Sequence, residues 1–272
     1  MENQDNDNHV VIWNETMEAN TNQSFSVSAN IIQEPILISD LTGSKSSTLQ
    51  EIHLLYPDLT EQYCRPIGND TETIIDPNQP TIKNVAHTIK NNSKNENAFL
   101  VGKHLFSWLK NHTTYEKHIV SHPQPAIETY NTGVGDCDDL TYLYLSMCKA
   151  IGLPSRYVKG YLVSNNTAVA HVWAELFVGK QITETGWMPV ECAGTGSYDT
   201  MIHHHYGLQD ANHLRLCVDD GTNETFSSLN NPITIRYEPS VSVSIDRFEL
   251  IENYMILSSK QLIIEGSTRS FE

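Results

Sequence analysis

The sequence predicts an α+β protein. Three observations carry this. Apolar residues recur at helical spacing from Pro80 to Ile151, short apolar and alternating runs punctuated by glycine follow from Arg156 to Glu191, and a Gly152/Pro154 pair separates the two regions. Residues 1–75 look different again and read as a strand-rich N-terminal segment or small domain. Within them, 24–31 alternates apolar and polar side chains as a half-buried strand would, and Pro35-Ile36-Leu37-Ile38 is a second short apolar run.

The stretch 70–80, with two prolines and an Asn, reads as a linker. After it, Ile82, Val85, Ala86 and Ile89 define one helix, and Leu100, Leu105, Trp108 and Leu109 a second. Residues 118–125 form a loop. A third helix starts near Cys137, with Leu140, Leu143, Tyr144, Met147, Cys148 and Ile151 on its apolar face, and Gly152 then Pro154 stop it. Strands are expected over 156–163, 171–178 and 187–191, punctuated by Gly179 and Gly186. Alternation at 240–245 suggests closing strands. The division is therefore 1–75, a core over 76–240, and C-terminal strands over 241–272 that pack on the core or the N-terminal segment.

Composition narrows the function. The 272 residues carry 17 Lys plus Arg against 33 Asp plus Glu, a net charge of −16. Such a surface repels nucleic acid and anionic membranes, so neither is expected as a partner. No apolar run is long enough to insert in a membrane. The start, MENQDNDNHVVIW, lacks the basic and apolar regions of a signal peptide. That predicts a cytoplasmic protein if Met1 is the native start, and leaves an extracytoplasmic one open otherwise. The five cysteines (64, 137, 148, 192 and 217) are odd in number and include no CxxC pair, which argues against a disulfide framework or a structural zinc site. Nothing calls for a metal or another cofactor. His203-His204-His205 cannot all face one ion and reads as a solvated or partly packed cluster. The oligomeric state is not legible.

Three fragments point to chemistry. Gly135-Asp136-Cys137 puts a thiol at a helix start, where the helix dipole and unpaired amides are able to lower a cysteine pKa to about 3.5–7.5. His171, opening the strand Ala170-His171-Val172-Trp173-Ala174-Glu175, would accept the thiol proton. Glu191, ending Trp187-Met188-Pro189-Val190-Glu191, would orient and stabilise the imidazole. Asp136, Asp138 and Asp139 suit a helix N-terminus and oppose a thiolate, and Asp136 would also line the cleft. Cys148 reads as core, and Cys192, next to Glu191, as facing away from the site. Trp108, Trp173 and Trp187 read as packing residues, with Trp187 bordering the cleft.

The runs GDCDDL, IGLPSRYVKGY, AHVWAELFV and GWMPVE together resemble the transglutaminase-like superfamily of papain-like thiol enzymes over roughly 80–220. Trp108-Leu109 with Tyr115, and Tyr206-Gly207 followed by His213, also resemble stretches of its prokaryotic members. The resemblance implies a papain-like core, in which the helix carrying Cys137 packs on an antiparallel sheet. It also implies acyl transfer by a Cys137–His171–Glu191 triad through a thioester. The third position is normally Asp in the family, so Glu191 is one methylene longer. The Cys137 backbone N–H is the first oxyanion donor expected. Tyr115 is the second by resemblance, with Gln124 and Tyr130 as rivals by position. The reading is a thiol hydrolase of the cysteine-peptidase kind acting on an amide or isopeptide bond of a protein or peptide. Its alternatives are a cross-linking protein-glutamine acyl transferase, for which no calcium-loop pattern is seen, and a catalytically silent binding domain.

Overall fold

The computed structural model describes residues 8, 15–18, 20–38, 40, 42–69, 71–93, 96–117, 123–164, 167–194, 202, 204–230, 242–244, 250–252, 254–255, 260–264 and 267–271. In chain order the elements are β1 (Ile36–Leu37), α1 (Leu49–Leu55), α2 (Pro57–Tyr63), β2 (Ile67–Gly68), β3 (Thr73–Ile75), α3 (Pro80–Ser93), α4 (Ala98–His112), β4 (Thr114–Tyr115), α5 (Ala126–Thr132), β5 (Val134–Gly135) and α6 (Cys137–Ala150). There follow β6 (Ser155–Ser164), β7 (Thr167–Phe177), β8 (Trp187–Val190), β9 (Leu208–Gln209), β10 (His213–Val218), α7 (Asn223–Asn230), β11 (Lys260–Ile264) and β12 (Ser267–Phe271).

The architecture is α+β. An antiparallel four-stranded sheet, in the order β10-β6-β7-β8, lies against α6. β6 and β7 form a long hairpin in register from Ser155↔Leu176 to Ser164↔Thr167. Along β7, β8 pairs with Ala174–Phe177, so among the described residues no strand covers the β7 edge at His171–Trp173.

α6 is the central element. A capping box fixes its start: the Asp136 carboxylate accepts from the Asp138 and Asp139 amides, and Asp139 accepts from the Asp136 amide. The spacing predicts one apolar face, but every residue from Asp139 to Lys149 is buried. The polar ones find partners. Ser146 donates to Tyr142 O and accepts from the Asp76 amide, and Lys149 Nζ donates to Tyr63 O at 2.7 Å. Gly152 ends the helix at φ 78°, with the His53 ring against it and His53 Nε2 2.6 Å from its carbonyl.

The N-terminal region departs from expectation. Residues 24–31 form no strand, and Phe25, Val27, Ile31 and Ile32 are exposed, because alternation makes a strand only where a neighbour supplies the ladder. Residues 49–63 are two helices. Their signals are local and short: a Thr48/Glu51 capping box for α1, and Pro57 at the first position of α2. Among the described residues of 1–75, only β1, β2 and β3 realise the strand-rich reading, and β3 falls within the expected linker. Ile38, Leu49, Ile52, Tyr63, Ile67, Ile74 and Ile75 share one buried cluster with α6 and the sheet. In the C-terminal stretch 242–244 is not a strand, the rest of 240–245 lies outside the described residues, and β11 pairs with β12 as a hairpin. Among the described residues no helix is long and apolar enough to cross a membrane.

Candidate active site

Cys137 is the first residue of α6 and is half-buried. Its sulfur meets the backbone N–H of Val172 on β7. The Val172 carbonyl points the same way and accepts from Thr141 Oγ1, one turn along α6, at 3.5 Å. Both polar groups of Val172 thus turn from the sheet toward α6, at the part of the β7 edge that β8 leaves uncovered. The strand residue beside this contact is His171.

His171 is buried, and its Nε2 lies 2.6 Å from Glu191 Oε2. Glu191 follows the last residue of β8. Its other oxygen, Oε1, accepts the Ala193 amide at 2.7 Å, and its own amide donates to His205 O at 2.8 Å. The loop after it is tied down by Lys110 of α4, whose buried ammonium donates to the carbonyls of Cys192 and Gly194. Burial lowers the Lys110 pKa. Burial alone would favour neutral Glu191, but charge and hydrogen bonds from His171 and His213 outweigh it and hold the carboxyl well below its usual range.

His213 of β10 was not among the expected catalytic residues. Its Nε2 lies 3.0 Å from the same Glu191 Oε2, and its Nδ1 lies 2.7 Å from Asp210 Oδ1. Burial opposes its charge, yet Asp210 and Glu191 push it up to about 9. No spacing in the sequence ties 210 and 213 to 191. β10 and β8 are opposite edges of the sheet, and the segment leading into β10 reaches Glu191 by pairing with the end of β8, through the Val190–Tyr206 bridge and the His205 carbonyl.

The expected depression of the Cys137 thiol is not found. Burial, then Asp138 and Asp136, push it up to about 12, with the Val172 N–H acting in the opposite direction. Loss of water and the two carboxylates Asp138 and Asp136 outweigh the dipole here. The resting group is therefore a thiol, and a thiolate requires a base to receive its proton.

Tyr115 sits beside this thiol. It lies on β4, which runs parallel to β5 with Tyr115 opposite Gly135, and burial followed by the charges of Cys137, Asp136 and Glu191 raises its pKa. It keeps 38% of its surface exposed, so its ring stands at an open side of the site. Gln124 is spent elsewhere: its side-chain amide donates to Val134 O and Asp139 Oδ2. Tyr130 stacks on Trp108. Two cleft expectations need correcting. Trp187 is a core residue, edge-on to Tyr63 and Phe177 with the Arg156 guanidinium 4.0 Å over its ring, because it begins β8 while Glu191 lies just past its end. The Asp136 carboxylate is turned to the α6 amides as their cap. Cys148 and Cys192 are buried, and His203 lies outside the described residues.

Two groups have ligand-type atoms within 4.8 Å of one another: His171, Glu191 and His213, and Asp136, Cys137 and Asp138. In the first, both imidazoles converge on a single carboxylate oxygen. That is the geometry of a carboxylate held by two ring N–H groups rather than of three ligands aimed at one point.

Residues 83–192 match the sequence model of the transglutaminase-like superfamily. No curated protein matches the chain. Among solved structures, a proposed cysteine protease from Cytophaga hutchinsonii is 16% identical, with a TM-score of 0.43 over 68% of this chain and 53% of that one. The periplasmic domain of TgpA from Pseudomonas aeruginosa is 14% identical, with a TM-score of 0.39 over 54% of this chain and 48% of that one. The chain thus spans about half the length of these structures.

Proposed function

We propose that this transglutaminase-like core is a thiol hydrolase that cleaves an amide or isopeptide bond of a protein or peptide, with Cys137, His171 and Glu191 as its triad. The observation that carries the reading is the pair of contacts at the β7 edge. The Cys137 sulfur meets the Val172 amide, while the neighbouring His171 is bonded through Nε2 to Glu191 at 2.6 Å.

The chemistry follows from that arrangement. Glu191 engages Nε2, so the N–H tautomer sits there and Nδ1 is left to accept a proton. As the Cys137 sulfur attacks the carbonyl carbon, its proton passes to His171 Nδ1 and the carbonyl becomes an oxyanion. The Cys137 amide and the Tyr115 hydroxyl are the donors we assign to that oxygen, each worth roughly 2.7–4 kcal/mol in the transition state. Collapse breaks the C–N bond, and His171 returns its proton to the departing amine. Water then adds to the thioester, giving its proton to His171. The C–S bond breaks, the acid leaves and Cys137 is reprotonated. A thiol pushed to about 12 makes the base obligatory in the first step.

The same raised thiol is the one observation on the side of a catalytically silent domain. Alkylation by iodoacetamide at neutral pH, read by peptide mass spectrometry, separates the two. Burial together with the neighbouring charges ranks Cys64 and Cys217, both at about 11, ahead of Cys137 at about 12. The hydrolase reading expects Cys137 to react first and to lose that lead in His171→Ala. It further expects peptide cleavage that vanishes in Cys137→Ala. Alkylation that follows the burial order and ignores His171→Ala overturns it.

A further inference from the structure

We infer that His213, seated by Asp210, is a positioning residue for this chemistry: it holds the Glu191 carboxylate in the one orientation in which Glu191 can serve His171. The inference rests on the triad reading above and adds a fourth and a fifth residue to it.

Glutamate has one more rotatable bond than the aspartate the family normally carries here, and a free carboxylate on that longer stem would sample several orientations. In this structure it has none to spare. Oε1 takes the Ala193 amide at 2.7 Å, and Oε2 takes His171 at 2.6 Å and His213 at 3.0 Å. His213 is itself fixed at two further points. Its Nδ1 lies 2.7 Å from Asp210 Oδ1, and its ring meets the Trp173 ring edge-on at 5.3 Å. With an acceptor on each ring nitrogen, the imidazole is a donor at both ends only as the cation.

The charged and titratable groups around Glu191 are His171 from β7, His213 from β10, Lys110 from α4, and Cys137 and Tyr115 across the site. Among them, His213 joins His171 in hydrogen-bonding Glu191. Its role is to keep Glu191 ionised and aimed. His171 then keeps its proton on Nε2 and Nδ1 stays open.

The test is the rate of Cys137 alkylation by iodoacetamide across about pH 4–10, with thermal unfolding measured in parallel, for wild type, His213→Ala, His213→Gln, Asp210→Asn and His171→Ala. His213→Ala should slow Cys137 near neutral pH by about tenfold or more, the cost of one charge-assisted hydrogen bond. It should also move the acid limb to higher pH, since Glu191 without its neighbouring cation protonates sooner. His213→Gln, which keeps a donor but no charge, should recover most of the neutral rate and leave the acid limb displaced. Asp210→Asn should move the limb in the same direction, and it speaks for the pair should His213→Ala not fold. A His213→Ala profile that overlays wild type, or falls equally at every pH with no recovery in His213→Gln, overturns the positioning role while His171→Ala still slows Cys137. A His171→Ala profile identical to wild type overturns the triad itself.

Discussion

Two glutamates of this sheet region each meet two basic side chains, and the kind of base sets them apart. Glu175, within β7, takes Arg156 of β6 at 2.9 Å on Oε2 and Arg215 of β10 on Oε1. Glu191, just past β8, takes His171 of β7 and His213 of β10, both on Oε2. β10 supplies one base to each, two positions apart. Guanidinium groups stay charged and cannot hand on a proton, so the Glu175 cluster is a fixed clasp across three strands, with Arg156 also covering Trp187. An imidazole is able to take up and release a proton, so the Glu191 cluster contains a base where the Glu175 cluster has none. Only the second lies where the β7 edge is uncovered and a thiol stands against it. The proposed chemistry needs both a base able to exchange a proton and the open edge.

The largest effect separating the two is expected from Glu191→Gln. The amide nitrogen would face His171 Nε2 and force the proton onto Nδ1, the nitrogen that must accept from sulfur. Peptide cleavage should fall by about 10⁴-fold, as for a triad whose acid becomes an amide, while the unfolding transition moves little. A loss below about tenfold would make Glu191 no more than another Glu175.

Glu175→Gln should do the reverse. It takes the carboxylate from the buried Arg156 guanidinium, costing about 3–5 kcal/mol in denaturant unfolding. The folded fraction should still alkylate Cys137 at the wild-type rate. Slowed alkylation there would show that the two clusters act as one.

A third difference is in pH dependence. His213 is raised from 6.5 to about 9 in the folded chain. Its stabilising contribution is therefore complete below about 6.5 and is lost as pH climbs through about 9, up to about 3 kcal/mol in all. Wild type minus His213→Gln, followed by denaturant unfolding from about pH 6 to 10, should show that decline. A flat difference would mean that His213 is not held as a cation.

The smallest effect comes from the helix start. Asp136→Asn keeps an N-cap acceptor and removes one carboxylate beside Cys137, so it should speed Cys137 alkylation at alkaline pH with stability nearly unchanged. Asp136→Ala should instead cost about 1 kcal/mol of stability. Equal alkylation in Asp136→Asn and wild type would place the rise of the thiol on burial and Asp138 alone.

The sequence by itself determined the α+β class, the helix from Cys137 to its Gly152 stop and the three strands that follow it, and it singled out the three residues at issue. Each of these is written locally, in a periodicity, a cap or a short run. It could not place the N-terminal helices over 49–63, whose seven-residue lengths carry little periodicity, nor tell that the alternation at 24–31 would find no partner strand. Tertiary structure decided the rest. Burial among Asp136 and Asp138 turned an expected thiolate into a thiol, strand length moved Trp187 from the cleft to the core, and pairing of 205–207 with the end of β8 carried Asp210 and His213 to Glu191. Desolvation and cross-strand proximity depend on what surrounds a residue in space, and the chain records only what surrounds it in order.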